Sequence, residues 1–402
     1  MVVASAVLLL GLLVVLMGVL LVGGEFGFFS PRRFYYLWLA GLIATGLALA
    51  SRPALAAIPL SLAAIDLGLG AGSLVLERAG FGRVSMMPPQ YYATEDFEWH
   101  PLLQAKPTPS FRGGPPGLEW AHSSVGTRDR EYTADELAAK KVVAAFGGST
   151  TYGLTVSDGE TWTDQLEEDL GIDQWIVVNH GVPGYTSVET LVQTAFYADA
   201  FGRKPDCAVY YMGWNDLRNS GIENLDGAYA IFHLRSQIDA LRTRRIDADT
   251  FTMSPLLTII VRSVAIGLDT ARPARRPHGS VIDQPDAKLE RLFARNIRSI
   301  SAINRSQDIK TLWVGQLLNV SALTGEEAGG WTPLIRQRDV WPFQQHLNAV
   351  LRRQAEAADD VYVDVPIDEF TAADFAYSGH FSAAGADKFA ALLAPHVRDA
   401  CR

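Results

Sequence analysis

The sequence predicts an α/β fold, namely a doubly wound, mostly parallel five-stranded sheet preceded by two or three N-terminal transmembrane helices. Two observations lead to this prediction. Uncharged apolar runs dominate residues 1–83, whereas short β-rich runs alternate with amphipathic helical patterns after residue 140. Such an alternation is typical of a sheet with helices on both faces. We therefore divide the chain into an anchor at 1–83, a linker at 84–140 and an α/β domain at 141–402.

The anchor contains three apolar runs, near residues 2–22, 35–50 and 54–76. The first is uncharged and long enough to cross a bilayer as a helix. It lacks a basic leader and an A-x-A cleavage pattern, which favours a retained helix over a signal peptide. The third run carries Asp66, and an acid in a membrane requires other helices or water beside it. We expect two or three spans.

Residues 84–140 are polar and rich in proline and glycine, which predicts an extended linker that packs on the following domain. The α/β domain then shows five β-rich runs, at 142–146, 175–178, 207–212, 311–315 and 361–365. Helical periodicity occurs at 160–170, 186–200, 287–304, 343–357 and 382–397. An insertion near 217–285 interrupts the alternation, and we interpret it as a lid or a membrane-facing element.

Composition argues against several functions. The formal net charge of -9 offers no broad basic surface, so nucleic acid is not an expected partner. Two cysteines, Cys207 and Cys401, stand far apart and outside any CxxC pair, which predicts neither a disulfide framework nor a cysteine metal site. No HExxH or comparable ligand spacing occurs, and we expect no metal or organic cofactor.

The first candidate site residue is Ser149, in the run FGGSTTYG directly after a predicted strand. Adjacent glycines allow a sharp turn that leaves the hydroxyl at the carboxyl edge of the sheet, where open α/β sheets bind ligands. The loop alone is equally compatible with a phosphate-binding nest or a helix N-cap. Thr151 stands where a G-x-S-x-G elbow requires its last glycine, which disfavours the α/β-hydrolase motif.

Three further candidates follow predicted strands or precede the last helix: Gly184, Asn215 and His380. Gly184 ends the turn sequence Gly-Val-Pro-Gly, and its amide can face an anionic oxygen. Asn215 can direct its side-chain NH2 into the same cleft. Taken singly, they are equally compatible with a plain turn, a helix cap and a surface histidine. The joint order of Ser, Gly, Asn and His favours one shared site.

In these four blocks the sequence resembles the SGNH (GDSL-like) hydrolase family over roughly residues 140–400. The resemblance implies a flavodoxin-like SGNH fold with Ser149 as nucleophile and His380 as general base. It also implies an oxyanion hole formed by the Ser149 amide, the Gly184 amide and the Asn215 side chain.

The combination of GGST with upstream HPLL and HSSVGTR segments looks like bacterial members with N-terminal transmembrane helices. The likeness implies that His100 and Arg128 have structural roles beside the catalytic domain. It also implies a multi-pass protein of a bacterial plasma membrane. The arginines flanking the apolar runs leave the side of the catalytic domain open, with a preference for the extracytoplasmic side.

Two residues depart from the family pattern. Gly148 replaces the acid of the usual Gly-Asp-Ser block, and Tyr377 stands where the Asp-x-x-His block has its aspartate. A catalytic imidazole needs an acceptor on Nδ1 to hold its tautomer. The nearest candidate is Asp374, followed by Asp364 and Asp368. A backbone carbonyl is the alternative, which would give a Ser-His dyad.

The sequence therefore predicts a serine-dependent ester hydrolase near a membrane: a carboxylesterase, deacetylase or lipase-like enzyme acting on a small-molecule, glycan or lipid acyl ester. An O-acyltransferase that modifies a cell-envelope glycan or lipid would use the same residues. The missing aspartate at position 377 leaves a third possibility, a catalytically impaired module that binds acylated glycans.

Overall fold

The computed structural model describes residues 31–78, 96–100, 102–223, 225–228 and 280–402. The helix predicted near 2–22 and most of the insertion predicted near 217–285 lie outside these residues. Residues 31–78 belong to one compact unit, and the other described residues belong to a second unit. The two units are described separately.

The first unit is a pair of helices, α1 (Pro31–Ala48) and α2 (Pro53–Arg78). Trp38 of α1 is buried and donates a hydrogen bond from Nε1 to Oδ2 of the buried Asp66 of α2, at 3.2 Å. The acid thus has a partner on a neighbouring helix, the condition under which an apolar helix accommodates it.

One helix of the described residues is long and apolar enough to cross a membrane, over Pro53–Gly72 with a mean hydropathy of 1.8. The apolar part of α1, Tyr36–Ala48, is shorter than such a span. The described part of the chain thus contains one candidate span, and two or three spans remain a prediction.

The second unit begins inside the segment 84–140, which was predicted to be an extended linker. The described part of this segment forms regular secondary structure. It contains two short antiparallel hairpins and one helix: β1 (Phe97–His100), β2 (Gln104–Pro107), β3 (Arg112–Gly113), β4 (Trp120–Ala121) and α3 (Ala134–Ala139). Leu103 and Trp120 are buried in one apolar cluster with Tyr152 and Tyr185 of the α/β domain. The segment is therefore part of the core of the second unit.

The central sheet has five strands: β5 (Lys141–Gly147), β6 (Trp175–Asn179), β7 (Cys207–Tyr211), β8 (Lys310–Val314) and β11 (Val361–Val363). All are parallel, and their order in the sheet is β11-β8-β7-β5-β6. Each lies within two residues of its predicted bounds. Parallel strands end at the same edge of a sheet, so the loops after β5, β6 and β7 meet there.

Helices cover both faces of this sheet, as predicted. They are α4 (Ser149–Tyr152), α5 (Trp162–Leu170), α6 (Ser187–Phe196), α7 (Trp214–Leu217), α8 (Ala287–Ser306), α9 (Gln337–Ala357) and α10 (Ala383–Ala400). Alternate residues of each strand enter opposite cores. In β5, Val143 packs with α5 and α10, whereas Ala144 packs with α8 and α9.

Four more short strands lie in the described residues: β9 (Ala328–Gly329), β10 (Thr332–Arg336), β12 (Phe375–Tyr377) and β13 (His380–Phe381). The pairs β9–β10 and β12–β13 are antiparallel. The second pair carries His380 to the carboxyl edge of the sheet.

The two cysteines form a disulfide, which corrects the prediction from their spacing. Cys207 lies in the central strand β7, Cys401 follows α10, and their Cα atoms are 5.7 Å apart. Their separation of 194 positions in the sequence hid the pairing, because α10 returns to the sheet only in the folded chain.

Candidate active site

Ser149 begins the short helix α4 immediately after β5. Its side chain is buried, and its Oγ lies 2.7 Å from Nε2 of His380. The amides of Thr151 and Tyr152 donate to the Gly148 carbonyl and hold the turn. The Ser149 amide lies in the first turn of α4, where amides have no acceptor within the helix.

His380 is presented by the β12–β13 hairpin, in which it pairs with Tyr377. The Thr155 hydroxyl donates to the Phe381 carbonyl at 2.7 Å and fastens the hairpin to the segment after α4. The ring of Trp214 lies 5.4 Å from the imidazole, centroid to centroid. The structure thus brings together two predicted site residues that are 231 positions apart in the sequence.

The imidazole of His380 is neutral at ordinary pH because burial lowers its pKa to about 3. Its Nδ1 atom is buried and has no hydrogen-bond partner among the described residues. A neutral imidazole with its proton on Nδ1 can accept the Ser149 hydroxyl proton at Nε2. The geometry is therefore suited to general-base activation of a serine.

Asp374, predicted to hold Nδ1 of His380, has other partners. Its Oδ2 accepts hydrogen bonds from the Thr371 amide at 2.7 Å and from the Lys388 ammonium at 2.8 Å. Asp364, the next candidate, is exposed and pairs with Arg352 at 3.3 Å. Asp368 is also exposed. The structure brings none of these three acids to the buried Nδ1 atom.

Asn215 lies at the start of α7 and is buried beside the turn that carries Ser149. Its Nδ2 donates to the Tyr185 carbonyl at 2.8 Å, which joins the loop after β7 to the loop after β6. A Cβ atom on Gly148 would lie 2.3 Å from this Nδ2, so the missing side chain at position 148 is what admits the amide. Gly184 is buried in the neighbouring turn with φ of 85°, a conformation that favours glycine.

Two residues that the sequence analysis did not single out hold these loops in place. The Asn179 side chain donates to the Thr151 carbonyl at 2.9 Å and accepts from the Gly181 amide at 2.9 Å. The Asp216 carboxylate accepts from the Ser187 amide at 3.1 Å. Asn179 is the last residue of β6, and Asp216 lies in the short helix that follows β7. The signal available in the sequence was their position at the ends of buried strands.

His100 and Arg128 make their described contacts with residues other than Ser149. The Arg128 guanidinium is buried, forms an ion pair with Asp158 and lies over the ring of Tyr152, with its centre 5.2 Å from the ring centroid. His100 Nε2 lies 3.2 Å from the Tyr197 hydroxyl. Among the described residues, no group of three or more His, Cys, Asp or Glu side chains could hold a metal ion.

Comparison with known proteins identifies the family. The family model described as GDSL-like Lipase/Acylhydrolase matches residues 145–388, which is more than half of the chain. No curated protein matches significantly.

Two of the similar solved structures are a GDSL-like lipase from Bacteroides thetaiotaomicron and a lipase/acylhydrolase from Enterococcus faecalis. The first is 17% identical, with 67% of this chain and 91% of that chain covered and a TM-score of 0.37. The second is 14% identical, with 64% and 96% covered and a TM-score of 0.37. At these TM-scores the structural likeness adds nothing to the family match. On that match, the chain belongs to the GDSL-like lipase/acylhydrolase (SGNH) family.

Proposed function

We propose that this protein is a serine-dependent ester hydrolase that works through an acyl-enzyme, with Ser149 and His380 acting as a dyad. The observation that carries the proposal is the 2.7 Å contact between Ser149 Oγ and Nε2 of a buried, neutral imidazole. Membership of an acylhydrolase family supports the same reaction class.

In the proposed reaction, Ser149 Oγ attacks the ester carbonyl carbon while its proton passes to His380 Nε2. The carbonyl oxygen becomes an oxyanion, which the Ser149 amide, the Gly184 amide and the Asn215 side chain stabilise. The intermediate collapses, the C–O bond of the ester breaks, and the leaving alcohol takes the proton from His380. Water then attacks the acyl-enzyme by the same route and releases the acid and the free serine.

The cavity that Ser149 and His380 line among the described residues has a volume of about 10 Å³. That volume is about the space of one water molecule, and neither Gly184 nor Asn215 lines the cavity. Its apolar walls include Leu154, Trp162 and Phe381, beside the Ser149–His380 pair.

We further propose that the protein is held in a membrane, with its catalytic unit on the extracytoplasmic side. The apolar window Pro53–Gly72 supports membrane attachment. The disulfide between Cys207 and Cys401 supports an oxidising compartment, because disulfides form and persist outside the cytosol.

The test compares the wild-type protein with Ser149→Ala in p-nitrophenyl acetate hydrolysis and in fluorophosphonate labelling. A matched control is Ser306→Ala, because Ser306 is exposed and bonds only the Ile303 carbonyl of its own helix among the described contacts. We expect wild type and Ser306→Ala to hydrolyse and label, and Ser149→Ala to do neither. Equal background signals in all three proteins would contradict the proposal and favour a binding module, and labelling without hydrolysis would favour an acyltransferase.

A further inference from the structure

No acid among the described residues holds the imidazole of His380 in place. The three candidate acids have other partners or lie exposed, and the buried Nδ1 atom has no hydrogen-bond partner among the described residues. A general base must still keep one orientation, because a misplacement of about 1 Å can cost on the order of 10²-fold in rate. The orientation of the ring therefore depends on its other contacts.

Trp214 is one aromatic neighbour of this imidazole. Its ring centroid lies 5.4 Å from that of His380, and its side chain is buried. A Cβ atom on Gly379 would lie 2.2 Å from Cζ3 of the indole, so the indole also lies directly against the backbone of the β12–β13 turn. Trp214 thus contacts both the imidazole and the hairpin that carries it.

Tyr377 is a second aromatic neighbour, and it stands at the position of the family's aspartate. It pairs with His380 across the hairpin, and the centroids of the two rings are 4.6 Å apart. The Tyr377 side chain is 42% exposed, whereas His380 is only 6% exposed. The rings of Tyr377 and Trp214 therefore both contribute to the burial that lowers the pKa of His380.

Trp214 is itself held by the core of the α/β domain. It belongs to the buried apolar cluster that includes Phe293 of α8 and Phe343 of α9. It also directly precedes Asn215, the proposed side-chain donor to the oxyanion, in the short helix α7. The first two residues of α7 therefore contact the base and the predicted oxyanion hole, respectively.

We propose that Trp214 and Tyr377 are positioning residues that hold the His380 imidazole against Ser149 by aromatic packing, in place of the acid of a triad. Aromatic rings attract one another in tilted arrangements at centroid separations of about 4.5–7 Å, and both contacts fall in this range. The role rests on the proposed ester hydrolysis, in which His380 is the base.

The experiment uses the full-length protein and compares alanine and phenylalanine variants at positions 214 and 377. It measures kcat and KM for p-nitrophenyl acetate across pH, and it titrates the His380 ring by ¹⁵N NMR, with His380→Gln to assign the signal. Trp175→Ala is the matched control, because Trp175 is equally buried but begins β6 at the opposite edge of the sheet.

We expect Trp214→Ala to lower kcat by about 10²-fold with little change in KM, because the base is misplaced after the ester has bound. Water would also reach the imidazole and raise the pKa of His380 from about 3 toward its ordinary value of 6.5, which moves the acid limb to higher pH. Tyr377→Ala should change both quantities in the same direction. Each phenylalanine variant keeps a ring and should recover most of both changes.

Thermal unfolding verifies that each variant is folded. Tyr377 is 42% exposed, so its alanine variant tests the packing even if Trp214→Ala does not fold. The positioning role is overturned if the alanine variants keep the kcat and acid limb of the wild type, or if Trp175→Ala loses as much kcat as they do. An inactive wild type would instead contradict the proposed ester hydrolysis. The NMR titration would then decide the packing alone, since an unchanged imidazole pKa in the alanine variants would overturn it.

Discussion

The imidazole of His380 is kept neutral by burial and not by a charged neighbour. Burial lowers its pKa to about 3, whereas the ordinary histidine value is 6.5. A protonated imidazole cannot accept the serine proton, so activity falls as the pH drops through the pKa of the base. A lower pKa moves this fall to lower pH.

We therefore expect the acid limb of kcat/KM for p-nitrophenyl acetate to lie far below pH 6.5. His122 and His180 are also buried with their pKa values lowered to about 4. The unfolded chain binds these protons from about pH 6.5 downward, whereas the folded chain binds them only near pH 4. The free energy of unfolding therefore decreases as the pH is lowered below about 6.5. The folded fraction is measured at each pH, and an inflection near 6.5 in fully folded protein would be evidence against this assignment.

Asp374 gives a second prediction at this scale. Because its carboxylate serves Lys388 and Thr371, Asp374→Asn should lower kcat far less than the roughly 10⁴-fold loss that follows removal of a triad acid. Loss of the partly exposed Lys388 pair should cost about 0–1 kcal/mol of stability. Steady-state kinetics and urea unfolding of this variant beside His380→Ala check both expectations. Equal losses of kcat in Asp374→Asn and His380→Ala would contradict this expectation and indicate that Asp374 takes part in catalysis.

At the scale of elements, the site depends on two loops that approach each other closely at Gly148. A Cβ at this position would lie 2.3 Å from Asn215 Nδ2, and the side chain of Asn215 is already held by the Tyr185 carbonyl. Gly148, which departs from the Gly-Asp-Ser pattern, thus leaves the space that the side-chain amide of Asn215 occupies. A change in the turn after β5 is therefore expected to move the start of α7.

Gly148→Ala should therefore inactivate the enzyme by displacing Asn215. We expect a loss in kcat on the order of 10²- to 10³-fold, as for removal of one oxyanion donor. The double variant with Asn215→Ala should lose little more than either single variant, since both act on the same amide. Gly329→Ala is the control, because a Cβ there meets nothing within 4 Å. Additive losses would show that Gly148 acts by another route.

At the scale of the whole molecule, the disulfide connects the central strand to the last helix. It joins residues 194 positions apart, and a cross-link over a long loop restricts the unfolded chain strongly. Cys401 lies after α10, whose buried residues include Phe389 and Leu393 on one face of the sheet. The link thus supports the helix that follows the His380 hairpin.

Cys401→Ser should lower the free energy of unfolding by about 2–4 kcal/mol in oxidising buffer. Wild-type protein treated with dithiothreitol should unfold like the variant, and the variant should not respond to the reductant. Chemical denaturation with and without reductant measures this. Two free thiols detected by mass spectrometry in protein taken from native membranes would contradict both the bond and the proposed extracytoplasmic side.

Local patterns were sufficient to predict the five strands, the five long helices of the α/β domain and the placement of Ser149 at a strand end. These features depend on side-chain periodicity and turn residues within short windows, which the sequence displays directly. The order of the four blocks also predicted that Ser149 and His380 meet.

Only the tertiary structure decided the remaining features. The ion pair of Asp374 and the Cys207–Cys401 bond are formed by residues that the folded chain brings together from separate positions. Asp374 was the nearest acid to His380 in the sequence, yet its carboxylate pairs with Lys388 and accepts from the Thr371 amide. The packing of the sheet against its helices determines which groups meet, and distance along the chain does not.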